Sequence, residues 1–426
     1  GPVAETFPEP LSRLEQDLWV TPLRTALREA LLLTGSASRH DVEGSPLVVC
    51  VHGRVAVNLE LFGSDSRERH RWQRLDPRPQ LRRLRVARRV GRLRSALPGL
   101  AEDLVSRTDA ELATVPGLED LTDLQLLVLL GRGARALVAL HAHEILVGLL
   151  VEPGSPRLTS TSVALRVLAR GREKGLSDAE LVVRHPVVLS LVPPHVHPGA
   201  SLPAEVEARP EGGRQGNGDR VALLREALRL RGRWLQELTG RAAWELGERL
   251  HRRGALAGPD LVRHWSLEAV RAVIGGRAEV GPCPATAEGA EQPPADDPLP
   301  ARFQLTDKGK VVPVGSPGDG DGSGAGGGRG GGPVCHSAAE APHGAVLVVR
   351  TLDPRLAPAL PRLAGLVAET GSALAHLAIL AREHGVPTVV GAADAQRRFG
   401  EGSWVVVDGS TGKVRLDEDR AREARP

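Results

Sequence analysis

The hydrophobic period of this chain changes near residue 300, and no single regular architecture accommodates both parts. Before that point apolar residues recur at helical spacing. In "RVALLREALRLRGRWLQELTGRAAWELGERLHRRG", Leu223, Leu224, Ala227, Leu228, Leu235, Leu238, Ala242 and Leu246 follow a 3.6-residue period. Basic residues crowd the end of that run, and Gly254 stands where a helix would stop. "LTDLQLLVLL" offers Thr122 as an N-cap with Gln125 three residues on, a capping-box start. Leu14, Leu18, Leu23, Leu27 and Leu31 predict an earlier helix that Pro22 interrupts or restarts. After residue 300 the pattern is different. "VVPVG", "AVLVVR", "AGLVAE", "PTVVG", "WVVVDG" and "KVRL" are short β-branched runs between Gly, Pro and Asp turns, with helix-like gaps at 355–362 and 373–384.

The Pro/Gly-rich stretch at 281–301 marks the boundary, so the chain reads as multidomain, α followed by α/β. A largely helical part spans 1–280 with an internal linker near 200–220, a linker follows over 281–300, and an α/β domain occupies 301–426. The run "GDGDGSGAGGGRGGG" lacks the Lys-Ser/Thr ending of a phosphate-binding loop and is expected to be a flexible loop. The length of 426 residues leaves room for two or three cores.

Net charge is only +3, which disfavours a polyanion binder. Arginine outnumbers lysine 51 to 4, and Tyr and Met are absent, a skew that a GC-rich genome produces and that suggests a fragment without its initiator Met. The basic stretch "RERHRWQRLDPRPQLRRLRVARRVGRLRSAL" sets Leu81, Leu84, Ala87, Val90, Leu93 and Leu97 on one face, and reads as a solvated helix face rather than a nucleic-acid contact. "ARALVALHAHEILVGLLVE" is broken by Arg135, His141, His143 and Glu144 and falls short of a membrane span. Cys50, Cys283 and Cys335 have no metal-ligand spacing, and no signal peptide opens the chain, so a cytoplasmic protein without a membrane partner is expected. "HAHE" at 141–144 and "HVH" at 195–197 invite a metal, but His141 and His143 diverge on a helix and no third ligand lies near His195 and His197. No metal site is expected.

"TGSALAHLAILAREHGVPTVVG", residues 370–391, places His376 in an apolar run. Thr370 and Gly371 end a strand, a helix follows from about Ser372 to His384, Gly385 is the left-handed stop, and Pro387 prevents continuation. The first N–H groups of a helix have no internal partner and favour a phosphate, and an imidazole beside them can accept a phosphoryl group. By spacing alone, such a histidine serves packing at least as readily.

The string "LVAETGSALAHLAILAREHGVPTVVG", with "VLVVRTLDP" before it and "WVVVDGSTGKVRL" after it, closely resembles the phosphohistidine swivelling domain of the PEP-utilising enzymes, over about 301–417. That family includes phosphoenolpyruvate synthase, pyruvate phosphate dikinase and rifampin phosphotransferase. The resemblance implies a swivelling β/β/α domain with His376 as the phosphorylated residue. Thr370 and Gly371 match the loop that approaches the phosphate. Arg382 and Glu383 match a helix-end pair that reads as structural, and Thr351 and Asp353 match a turn that holds the loop. Ala375 departs from the Ser, Thr or Cys usual before the histidine, and loss of that donor or cap is worth about 1 kcal/mol. Ser372 would cap the helix a turn earlier.

The order of a helical part followed by the histidine domain resembles rifampin phosphotransferase without its ATP-grasp domain. It implies a phosphotransferase that uses Mg-ATP bound on a domain outside this chain and gives AMP, phosphate and a phosphorylated product. The partners implied are an ATP-grasp domain in cis or in trans and a small-molecule hydroxyl acceptor, rifamycin-like by this resemblance, with no nucleic acid. The chain alone is expected to turn nothing over. A phosphoenolpyruvate synthase-like fragment and a non-catalytic module with a decayed histidine domain stand as alternatives.

Overall fold

The structure, a computed structural model, describes residues 7, 9–44, 46–58, 78–151, 160–203, 220–276, 303–306, 310–313, 322–371, 376–417 and 420. The expected loop at 200–220 and linker at 281–300 lie almost wholly outside these residues. Ser12 and Glu15 form a capping box at Arg13–Glu15, a π-helical turn follows over Gln16–Val20, and Pro22 sits in the first turn of α1 (Thr21–Thr34). Pro22 is therefore a restart, placed where its missing N–H costs least. Then come α2 (Arg78–Leu93), α3 (Leu97–Ala113), α4 (Asp123–Gly148), α5 (Ser160–Glu173), α6 (Asp178–Arg184), α7 (Arg220–Arg252) and α8 (Leu267–Ile274).

The predicted starts and stops are present. The Thr122 N–H donates to Gln125 Oε1 at 2.7 Å, and the Gln125 N–H donates back to Thr122 Oγ1 at 3.3 Å. Gly254, just after α7, is left-handed with φ of 75°. The two longest helices pack on each other, with α1 and α3 against them. Leu126, Leu130, Leu137 and Leu140 of α4 share a core with Leu228, Leu235 and Leu246 of α7. The buried indole of Trp19 donates to Thr239 Oγ1 on α7 at 3.1 Å, so the one polar atom of that large side chain is satisfied. Contrary to the expectation for 134–152, α4 is long and apolar enough by length and composition to cross a membrane; its apolar side is taken up by this core.

Two features depart from the helical reading of the first part. Val48–Val51 (β1) and Arg54–Val57 (β2) form a hairpin whose turn, His52 and Gly53, has φ of 51° and 74°. On α2 the expected stripe is half-buried at Val90 and Leu93 but exposed at Ala87, beside exposed Arg88, Arg89 and Arg92; the side chains of Leu81 and Leu84 lie outside those described.

The C-terminal part is α/β. β3 (Phe303–Leu305) pairs with β4 (Val311–Pro313), and seven further strands make one sheet. These are β5 (Ser323–Gly326), β6 (Arg329–Cys335), β7 (Val346–Val349), β8 (Gly365–Ala368), β9 (Thr388–Val390), β10 (Trp404–Asp408) and β11 (Lys413–Leu416), in the order β11-β10-β6-β7-β8-β9-β5. The central β6 to β9 are parallel; β10 and β5 run antiparallel to their neighbours. Both faces of the sheet are buried. On β7, Val346 and Val348 face one core while Leu347 and Val349 face another, and Val367 on β8 points opposite to Leu366 and Ala368.

The glycine-rich run is corrected here. Within the described residues 322–332 it forms β5 and most of β6 rather than a flexible loop. A Cβ on Gly330 would lie 1.9 Å from the Ala364 carbonyl oxygen, and one on Gly332 1.9 Å from that of Gly344, so the curled sheet brings backbone onto backbone where only glycine fits.

Residues 160–203 share a core with the C-terminal sheet. Ala164, Leu165 and Leu168 of α5, Leu181 of α6 and Val188, Leu189 and Leu191 of the 3-10 turn Pro186–Leu191 cluster with Leu347, Leu352, Leu360, Leu377 and Leu380.

Candidate active site

Parallel strands end together, and the loops leaving them are the usual place for a site. At the ends of β7 and β8 the chain brings Arg350, Thr351 and Asp353 beside Glu369, Thr370 and Gly371. The amide and hydroxyl of Thr370 both donate to the Arg350 carbonyl at 2.9 Å. Gly371 has φ of 124°, a region that side chains with a Cβ rarely adopt. The Asp353 N–H donates to the Thr351 carbonyl at 3.0 Å, and Asp353 Oδ1 accepts the Arg355 N–H at 2.8 Å, capping the 3-10 segment Pro354–Arg362. Thr351 and Asp353 thus lie in a local turn at the end of β7. An open pocket of about 490 Å³ lies here, lined by Val349, Arg350, Thr351, Asp353, Leu356 and Gln396.

Helix α9 (His376–Glu383) carries His376 as its first described residue. Leu377, Ala378, Leu380 and Ala381 are buried, which fixes the helix on the sheet. Its end is a Schellman motif: the Val386 N–H reaches Ala381 O at 2.8 Å, the Gly385 N–H reaches Arg382 O at 3.0 Å, and Gly385 is left-handed. Ser372, Ala375 and the His376 imidazole lie outside what the structure describes. Arg382 is not brought to the loop. It sits at the opposite end of α9, where its guanidinium donates to Ala325 O on β5 at 2.5 Å. Its place is structural.

Electrostatics around the turn reach into the helical part. Asp353 accepts from Arg355 Nε at 2.9 Å, and Arg355 also bonds Glu9. Asp353 first, then Glu9, raise the Arg355 guanidinium above its usual range against the cost of burial. Arg54 on β2 is lowered by burial and by the nearby Arg350, with Glu9 opposing. Sequence reasoning passed over Arg350, Arg355, Gln396 and Glu9; the first two flank the named Thr351 and Asp353 in "RTLDPR" and were the available signal. Gln396, on a short helix α10 (Ala395–Arg398), donates its N–H to Glu369 Oε1 at 3.0 Å.

Within neither histidine pair do the two imidazoles share a carboxylate. His195 lies 3.6 Å from Glu15 and 3.5 Å from Glu9, whereas His197 lies 3.3 Å from Glu237. His141 is 3.7 Å from Glu144, and His143 bonds the Ala139 carbonyl. Among the described residues no three His, Cys, Asp or Glu side chains converge as a metal site.

Residues 341–412 match the family model of the PEP-utilising enzyme mobile domain. Phosphoenolpyruvate synthase of Aeropyrum pernix is 40% identical over 95 residues, 21% of this chain and 12% of that protein. Rifampicin phosphotransferase of Streptomyces sviceus is 38% identical over 78 residues, 18% of this chain and 9% of its own length. The uncharacterized phosphotransferase YvkC of Bacillus subtilis is 38% identical over 71 residues, 17% of this chain and 8% of its own. The aligned part is thus about a tenth of each relative, and it lies in the C-terminal domain.

Proposed function

Starting from a C-terminal domain that belongs to the PEP-utilising mobile-domain family, we propose that this chain is the phosphohistidine-carrying part of a phosphotransferase. A ring nitrogen of His376 takes the β-phosphoryl group of ATP and passes it to the hydroxyl of a small-molecule acceptor. ATP, water and the alcohol give AMP, phosphate and the phosphate ester, so the histidine divides one difficult transfer into two. The observation that supports this reading is that the family match, residues 341–412, spans β7, β8 and α9, the helix that carries His376. The positive end of a helix dipole favours a dianion.

Thr370 ties its loop to the Arg350 carbonyl, and Asp353 engages Arg355. With the Asp353 carboxylate engaged by Arg355, and no metal-ligand cluster among the described residues, no step is routed through Mg²⁺ on these residues. Mg-ATP belongs to an ATP-grasp domain, in the same polypeptide or separate. The helical body supplies the acceptor side, and the name of the Streptomyces sviceus relative is what favours a rifamycin. The Aeropyrum pernix relative favours a second reading, phosphoenolpyruvate synthesis.

The test is to treat the chain with phosphoramidate, and separately with Mg-ATP and an added ATP-grasp domain, and to map acid-labile phosphate by mass spectrometry. Phosphate on His376, absent from His376→Gln, is expected in both. If His376 stays unmodified while exposed histidines such as His40 accept phosphate from phosphoramidate, the reading fails.

A further inference from the structure

The pocket of about 490 Å³ at the end of β7 is lined by two kinds of surface. Val349 and Leu356 supply apolar contact, and Arg350, Thr351, Asp353 and Gln396 supply polar groups. Its volume lies within the range of small-molecule sites, which combine apolar surface with a few placed polar groups. It is far larger than a bare inorganic anion requires.

The charges decide the class of ligand. Of the two ionised lining residues, Asp353 is already engaged: Oδ1 accepts the Arg355 N–H at 2.8 Å, and Oδ2 accepts from the Arg355 guanidinium at 2.9 and 2.6 Å. Two other carboxylates near the site are engaged as well. Glu9 bonds Arg355, and buried Glu369 accepts the Gln396 N–H at 3.0 Å. Arg350, exposed at the end of β7, therefore sets the sign of the lining. A second cation stands near it. Burial first, then the charge of Arg350, lowers the Arg54 guanidinium on β2, with Glu9 opposing. Two guanidiniums set close together repel, one anion between them relieves both, and each planar fork matches phosphate oxygens two at a time.

We propose that this pocket binds a small phosphate monoester, with its phosphate on Arg350 and Thr351, Arg54 in support, and its carbon part on Val349 and Leu356. AMP and the phosphate ester of the phosphohistidine reading are both of this class, so under that reading the pocket retains a product. The site itself is defined without His376.

Isothermal titration calorimetry of the full chain tests it, with AMP, glycerol 3-phosphate and inorganic phosphate as probes and chloride holding the ionic strength constant. At least one ester is expected to bind with Kd below about 1 mM, and more tightly than inorganic phosphate. Preference for AMP identifies a nucleotide as the source, and preference for glycerol 3-phosphate the ester of a simple alcohol. Arg350→Gln keeps the backbone carbonyl that holds Thr370 and is expected to weaken the ester about tenfold or more, the size of hydrogen bonds to a charged group. Arg54→Gln should weaken it roughly two- to fivefold, as the loss of a supporting charge does. Leu356→Ala should weaken the ester and spare inorganic phosphate. Arg184→Gln, which removes an exposed charge from α6, should change neither. Absence of ester binding overturns the proposal. So does inorganic phosphate binding as tightly as both esters, or an ester affinity that Arg350→Gln leaves intact. None of these outcomes alters the acid-labile phosphate assay on His376, so the two readings fail separately.

Discussion

One carbonyl oxygen, that of Arg350, accepts both the amide and the hydroxyl of Thr370, each at 2.9 Å, and so ties the loop before His376 to the end of β7. Thr370→Val keeps the shape and the amide bond but removes the hydroxyl. A neutral hydrogen bond is worth about 1 kcal/mol net. His376 phosphorylation is therefore expected to slow up to about fivefold, with a small change in melting temperature and recovery in Thr370→Ser. Initial rates of acid-labile phosphate incorporation measure it, and a wild-type rate in Thr370→Val removes Thr370 from the loop's support.

The glycines of β6 make a separate claim about the sheet. A methyl at 330 or 332 meets a carbonyl oxygen at 1.9 Å, and backbone cannot swing away as a side-chain tip would. Gly330→Ala and Gly332→Ala are expected to cost about 3 kcal/mol or more, at the upper end of overpacking effects. Gly327, where a Cβ meets nothing within 4 Å, serves as the control and its alanine variant should unfold close to wild type. Urea denaturation followed by the signal of Trp404 on β10 distinguishes them.

These same positions explain what the sequence could and could not tell. The Thr122–Gln125 box, the long α7 and the β-branched strands β7 to β11 are local patterns, and local patterns are readable. The strands β5 and β6 were not, because their glycines answer to backbone on other strands and carry no apolar alternation of their own. The hairpin at β1 and β2 had a signal, a two-residue His-Gly turn between Val-rich runs, that the surrounding helical pattern obscured. At the candidate site, motif resemblance singled out His376, Thr370 and Thr351, while Glu9 carried no such mark, since its partner Arg355 lies almost 350 residues away. The joining of 160–203 to the C-terminal sheet is of the same kind: two ordinary apolar faces carry no mark of each other.

Arg233 ties the segment 160–203 to α7 through the carbonyls of Leu189 and Val192. Burial pushes its guanidinium down to about 10, with Glu237 opposing, yet it remains charged and bonded to Leu189 and Val192. Arg233→Met fills much of the volume but leaves two buried carbonyls without their donor and Glu237 with one cation fewer beside it. A loss of about 3 kcal/mol is expected, in the range for breaking a buried charged contact. A variant as stable as wild type would show that residues 186–192 are held on α7 by packing alone.

Acid should weaken the helical body first. Burial alone would raise the Glu15 carboxyl, but His195, Arg263 and the amides of Val196 and Ser12 outweigh it and hold it at about 2, against an ordinary 4.5. A carboxyl lowered in the folded state contributes stability that is present above about 4.5 and is lost as pH falls towards 2. The contribution is on the order of 3 kcal/mol. Urea midpoints measured from pH 6 to pH 2.5 should fall below pH 4.5, and Glu15→Gln should start lower at neutral pH and fall less. Identical slopes for the two proteins would assign the acid loss to other groups.

Gly371 separates loop conformation from loop contacts. With φ of 124° its backbone is costly for any residue bearing a Cβ, yet the nearest atom such a Cβ would meet, Leu352 Cδ1, is at an ordinary 3.4 Å. Gly371→Ala therefore adds strain without a clash, of order 1–3 kcal/mol, and the loop relieves it by leaving its present path. Because Thr370 and His376 flank that path, phosphate uptake at His376 is expected to drop at least tenfold while the urea midpoint moves by no more than that strain allows. Gly371→Asn, a residue more tolerant of positive φ, should recover part of the rate. Equal uptake in wild type and Gly371→Ala would mean that the route of the chain through residue 371 does not set how the imidazole is offered.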